Sequence, residues 1–100
     1  MTHVYTGSMT IARRIRIEGR VQGVFFRDWT IATASRLSLT GWVRNCRDGS
    51  VEAFAIGEGT AVEQLIIACH AGPDLARVRS RDGRRGEIAT FTAFGRRPDA

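Results

Sequence analysis

The stretch Gly19-Arg20-Val21-Gln22-Gly23-Val24-Phe25-Phe26-Arg27 places two glycines and an arginine where an extended apolar segment gives way to a helical one. It contains no acidic residue, and no Ser, Thr or Asn that would cap a helix start with a side-chain oxygen. Backbone N–H groups at such a start point outward, carry the positive end of the helix dipole and take up phosphate readily. Left uncapped, they are open to an external anion. Arg27, one turn into the helix, adds a permanently charged, fork-shaped guanidinium to that cradle. These residues are the chemistry expected of a phosphate site.

Asn45 is the second residue of interest. Its side chain offers an amide donor and a carbonyl acceptor without net charge, which suits it to hold a water molecule beside a bound phosphoryl group. Whether it can reach the glycine loop depends on the elements between them. Ile11, Ile15 and Ile17 alternate with Ala12, Arg14, Arg16 and Glu18, a strand with one wet face. Arg13 falls on the apolar side and is expected near the sheet edge. After the loop, a helix is predicted from about Val24 to Leu37. Trp42 to Cys46 then reads as a second strand, the dipeptide Asp48-Gly49 as a hairpin turn, and Val51 to Ile56 as a third strand.

Thr60-Ala61-Val62-Glu63 has the form of a capping box, and Val62, Leu65, Ile66 and Cys69 keep a helical spacing behind it. Gly72-Pro73 ends that helix. Ala76 to Ser80 alternates as a fourth strand, Asp82 to Gly86 is predicted to be a turn, and Ala89 to Phe94 a last strand. The order β-α-β-β-α-β with a short terminal strand predicts an α+β, ferredoxin-like sandwich. Two helices would cover one face of an antiparallel sheet. Residues 1–10 match no period and are expected to be a flexible tail, leaving 11–97 as a single domain.

A helical crossover makes the first two strands parallel. Their C-terminal ends then lie at one edge of the sheet, which brings Asn45 beside the glycine loop and Arg27. At this spacing the residues resemble a known family. Gly19-Arg-Val-Gln-Gly-Val-Phe-Phe-Arg27, Leu37-Ser-Leu-Thr-Gly-Trp-Val-Arg-Asn45 and Asp48-Gly-Ser-Val-Glu52 are similar to acylphosphatases, from about Ile15 to Arg96. The resemblance implies hydrolysis of acyl phosphates to a carboxylate and inorganic phosphate, with no metal and no cofactor. It implies that Gln22, Gly23, Val24, Phe25, Phe26 and Arg27 form the phosphate cradle, that Arg27 binds phosphate, and that Asn45 orients the attacking water. Ser38 stands where the family has glycine, and Gly72-Pro-Asp-Leu-Ala76 departs from its proline-rich form. Both lie away from the site.

The remaining composition narrows the alternatives. One hundred residues, 43% of them hydrophobic, suffice for one modest core. No apolar run reaches membrane-spanning length and no secretory leader is recognisable, so a cytoplasmic protein is expected, with no membrane partner. Cys46 and Cys69 have no metal-ligand spacing and are expected as free thiols. His3 falls in the tail, and His70 at a helix end suits the dipole there better than a base. All fifteen basic residues are arginine, and the formal charge is +5. Ferredoxin-like sheets with basic charge also bind RNA, but such domains carry stacking aromatics on their central strands. Here the first strand has none and the third only Phe54, so no nucleic-acid partner is expected. A module detached from a larger hydrogenase-maturation carbamoyltransferase is disfavoured by the short chain. Nothing demands more than a monomer.

Overall fold

Alternation along the strands sorts side chains onto two faces, and the larger apolar set decides where the helices pack. A computed structural model describes residues 9–100. It contains β1 (Thr10–Arg20), α1 (Phe26–Arg36), β2 (Thr40–Asn45), β3 (Val51–Glu58), α2 (Gly59–Cys69), β4 (Arg77–Arg85) and β5 (Phe94–Arg96). The five strands form one sheet in the order β4-β1-β3-β2-β5. Ile15, Ile17, Val43, Val51, Ala53 and Ala55 line the face that meets Phe26 and Ala34 of α1 and Val62, Leu65 and Cys69 of α2. This is the ferredoxin-like α+β sandwich.

The sheet is mixed rather than antiparallel throughout. β3 runs antiparallel to both β1 and β2, and β4 antiparallel to β1, but β5 pairs with β2 in parallel. The reason is the connection before β5. It must carry the chain from β4 at one edge to the opposite edge, and it does so across the helix-free face. There Ala12, Trp42, Phe54 and Ile56 form a second apolar cluster, and Phe91 sets its ring edge-on against Phe54 at 6.3 Å. Residues 87–93, most of them expected as strand, are therefore the crossing segment, and only Phe94–Arg96 pairs.

Two local expectations also change. Asp82-Gly83 lies inside β4, opposite Arg16 and Ile15, because β4 keeps pairing with β1 as far as Arg85. The Thr60 capping box is not used: α2 begins at Gly59 behind Glu58 as N-cap, with no side-chain cap. β3 runs straight into this helix, and the Gly59 N–H donates to the Met9 carbonyl at 2.9 Å. Thr60 is thus already inside the helix. Both helices lack a side-chain cap, so α2 offers no capped contrast to α1. Of the expected tail, residues 1–8 (His3 included) lie outside the described residues, while Thr10 already pairs with Glu58.

What positions the site is the shared direction of β1 and β2. Val51 of β3 is the register partner of Ile17 on one side and Asn45 on the other. Both strands therefore end at the same rim. Gly19 lets β1 finish there: its φ is 131°, and a Cβ would come within 2.2 Å of the Arg77 carbonyl oxygen.

Candidate active site

Between β1 and α1 the backbone changes hand twice within three residues. Gly23 has φ of 73° and Phe25 φ of 66°, with Val24 between them not positive. Alternation of this kind turns successive N–H groups toward one concavity, a nest for an anion. A non-glycine residue at positive φ costs on the order of 1–3 kcal/mol and is a feature of functional sites. Phe25 is the N-cap of α1, and no side chain caps it. Among the described residues, no protein acceptor takes the N–H groups of Gly23 to Asp28. Val24 and Phe26 bury their side chains in the core and anchor the loop from below, while the Phe25 ring is 71% exposed.

Above these amides is a cleft of about 260 Å³ lined by Val21, Gly23, Phe25, Phe26, Arg27, Asp28, Asn45 and Arg96. Arg27 and Asn45, eighteen positions apart, thus face one small cavity. The side-chain amide of Asn45 has no hydrogen-bond partner among the described residues, while the backbone carbonyl of Asn45 accepts from the Ala100 N–H at 3.0 Å. Arg27 Nη1 donates to Asp99 Oδ1 at 3.3 Å, a contact delivered by the segment that follows β5. That segment stays on β2: Arg97 N–H donates to the Val43 carbonyl, and Arg47 N–H to that of Ala100.

A family model for acylphosphatase matches residues 13–94. The chain belongs to the acylphosphatase family. The expectation of an enzyme stands with it. An acylphosphatase of Rhizorhabdus wittichii is 54% identical over 72 residues, covering 72% of this chain and 73% of that protein. Among solved structures, an acylphosphatase from Coxiella burnetii superposes with a TM-score of 0.85 at 33% identity, over 88% of this chain and 93% of that one. A full-length HypF structure, in a phosphate- and nucleotide-bound form, superposes at 0.84 with 27% identity. It covers 91% of this chain but 12% of that one.

Within the family's frame, the expected site residues fall into two groups. Gly23, Phe25, Phe26, Arg27 and Asn45 line the cleft. Val24 does not line it and is buried in the core. Gln22 has a different part: its Nε2 donates to the Cys46 and Ser50 carbonyls, both at 2.8 Å, and so ties the loop to the β2–β3 hairpin that carries Asn45. Trp29 packs edge-on against Phe26 at 5.3 Å and does not line the cleft. Ser38 has φ of 60°, the left-handed backbone that the family's glycine would adopt without penalty.

Three residues went unnoticed in the sequence: Asp28, Arg96 and Asp99. Arg96 Nη2 donates to Asp28 Oδ1. Both cleft arginines are therefore paired with a carboxylate. Only Asp28 had a signal, since an acid in a helix's first turn is a recognisable feature; the other two reach the site from 68 and 72 residues away.

The remaining ionisable groups serve the scaffold. Glu52 lies between Arg14 and Arg44, and these two outweigh its desolvation to hold the carboxyl below its ordinary range. The hydroxyl and N–H of Ser50, with Arg16, hold the Asp48 carboxyl well below its ordinary range. Burial pushes the Cys69 thiol up to about 12, so it is protonated and poorly nucleophilic. Trp42 and Phe54, 5.9 Å apart on the helix-free face, are a pair that the sequence reading missed. Both are buried, with Arg14, Arg44 and Arg97 stacked over Trp42 at 4.6–5.6 Å. No described helix is long and apolar enough to cross a membrane.

Proposed function

We propose that this chain hydrolyses acyl phosphates, with the phosphoryl group seated on the Gly23–Asp28 amides and Arg27, and the attacking water held by Asn45. The observation that carries the reading is the run of N–H groups at the uncapped start of α1 that have no acceptor among the described residues and converge on a cleft lined by Arg27 and Asn45. Gln22 belongs to the same machinery through its backbone and through its hold on the hairpin.

An acyl phosphate is a mixed anhydride whose leaving group, a carboxylate, is already a stable anion near neutral pH. It needs no general acid to depart. The water oxygen bonds to phosphorus while the bond from phosphorus to the acyl oxygen breaks, and that electron pair leaves on the carboxylate. One water proton passes to a phosphoryl oxygen of the substrate, giving a carboxylate and dihydrogen phosphate. Phosphoryl transfer of this kind spreads charge over the equatorial oxygens, so positioning and preorganised donors carry the catalysis. The amide nest and the guanidinium meet that charge. The Asn45 amide, with no competing partner among the described residues, aims the water.

Cytoplasmic residence, a monomeric state and the absence of nucleic-acid or membrane partners complete the proposal. The small cleft leaves the acyl group facing solvent, and selectivity for it is expected to be loose. Titration of the 15N-labelled chain with inorganic phosphate tests the seat directly. Shifts concentrated on the Gly23–Asp28 amides and the Asn45 side-chain NH2 are expected. Shifts scattered over the arginines of β4 instead would reject it.

A further inference from the structure

Asp28 stands in the first turn of α1, three residues beyond the Phe25 N-cap. An acidic side chain at that position ordinarily swings back to the N-cap N–H, and the helix dipole favours it there. In this chain such a bond would fill the anion nest with the protein's own carboxylate. It does not form: no side chain caps α1, and Asp28 Oδ1 accepts from Arg96 Nη2 instead.

Arg96 is well placed to do this. It is the last residue of β5, and its register partner Val43 lies on β2 two residues before Asn45. Alternation sends the next side chain, Arg97, to the other face, where it stacks on Trp42 at 4.6 Å. Arg96 is left on the cleft side, and both it and Asp28 line the cavity. The pair is exposed, with side chains 48% and 60% accessible, so its contribution to stability is small. Its consequence lies in where it holds a negative charge.

We infer that Arg96 is a positioning residue that acts through Asp28: it holds the Asp28 carboxylate away from the α1 N-terminus and neutralises it, keeping the phosphate seat open. The inference rests on the phosphate seat proposed above. Without Arg96, the Asp28 carboxylate would compete with the phosphoryl group for the same amides and repel it. The cost would fall on phosphate binding rather than on the chemical step.

The test uses Arg96→Gln, Asp28→Asn and the double variant. Each is assayed for inorganic phosphate affinity by calorimetry and for benzoyl phosphate hydrolysis. Arg96→Gln should weaken phosphate binding and raise KM by about three- to tenfold, with kcat little changed. Asp28→Asn should bind phosphate as tightly as the parent or more tightly. The double variant should recover the affinity lost in Arg96→Gln, by a larger factor than Asp28→Asn gains on the parent, the non-additivity expected of two residues that act as a unit. A double variant as weak as Arg96→Gln would overturn the inference, since Arg96 would then act on the anion itself or on the fold. So would an Arg96→Gln protein with unchanged phosphate affinity and KM. Failure of the underlying reading looks different: the parent chain would neither bind phosphate at this cleft nor turn over benzoyl phosphate.

Discussion

Gln22→Ala is the perturbation that most sharply separates a residue that holds the site together from one that only borders it. Its Nε2 makes two hydrogen bonds of 2.8 Å, to the carbonyls of Cys46 and Ser50. Those carbonyls keep one partner each when Gln22 is lost, since Cys46 also accepts from the Gly49 N–H and Ser50 from the Cys46 N–H. The cost is therefore that of two net hydrogen bonds without a stranded acceptor, about 1–2 kcal/mol. For a domain of this size that is a fall in Tm of about 4–16 °C. Gln22→Glu should be worse than Ala, because a carboxylate cannot donate and would face two carbonyl oxygens. Urea unfolding at neutral pH measures both, read from midpoints at constant m. Because the hairpin next to Cys46 carries Asn45, kcat for benzoyl phosphate should fall about tenfold or more in the folded Ala variant. Gln22→Ala within about 0.3 kcal/mol of the parent, a difference below that expected for even one such bond, would refute the reasoning. A Glu variant more stable than the Ala variant would do so as well.

Arg27→Ala should lower kcat/KM by about 10²–10³-fold, and Arg27→Lys should recover only part of this, because an ammonium lacks the planar fork; steady-state kinetics decide it. Asp99→Asn removes the carboxylate that sits on Arg27 and should tighten product inhibition by phosphate about two- to fivefold, the range open to an exposed pair; looser inhibition would show that Asp99 aids binding. Glu52, held below its ordinary value of 4.5, stabilises the fold above that pH and loses this contribution as pH falls through its depressed value. The stability gap between the parent and Glu52→Gln, measured by denaturant unfolding, should be widest near neutrality and close in acid; a gap that widens below pH 4.5 would have the wrong sign.

The parts of this molecule legible from its residues are those whose causes are local. β1 announces itself by alternation, the hairpin by Asp48-Gly49, and the uncapped start of α1 by the absence of Ser, Thr, Asp and Asn across Gly19–Arg27. The meeting of Arg27 with Asn45 was also readable, since a helical crossover makes β1 and β2 parallel. The errors share a physical origin in distant partners. Ala89 to Phe94 has strand-like residues, yet Phe91 is drawn onto Phe54 across the sheet, and only the end of the segment finds a β2 partner. Asp82-Gly83 has the same turn chemistry as Asp48-Gly49, but the pull of β1 keeps it extended. Thr60 would have capped α2 had the helix not started earlier against the Met9 carbonyl. The carboxylates on the two cleft arginines and the Trp42–Phe54 pair arise from sheet order, which no local pattern encodes.

Hydrolysis of benzoyl phosphate by the parent chain, Arg27→Ala and Asn45→Ala, with EDTA present throughout, tests the central claim most directly. The account predicts turnover by the parent, with kcat reduced by about 10²-fold or more in both folded variants and phosphate still bound by Asn45→Ala, since that residue holds the water and not the phosphoryl group. A folded parent chain without turnover, or an Asn45→Ala protein as fast as the parent, would contradict it.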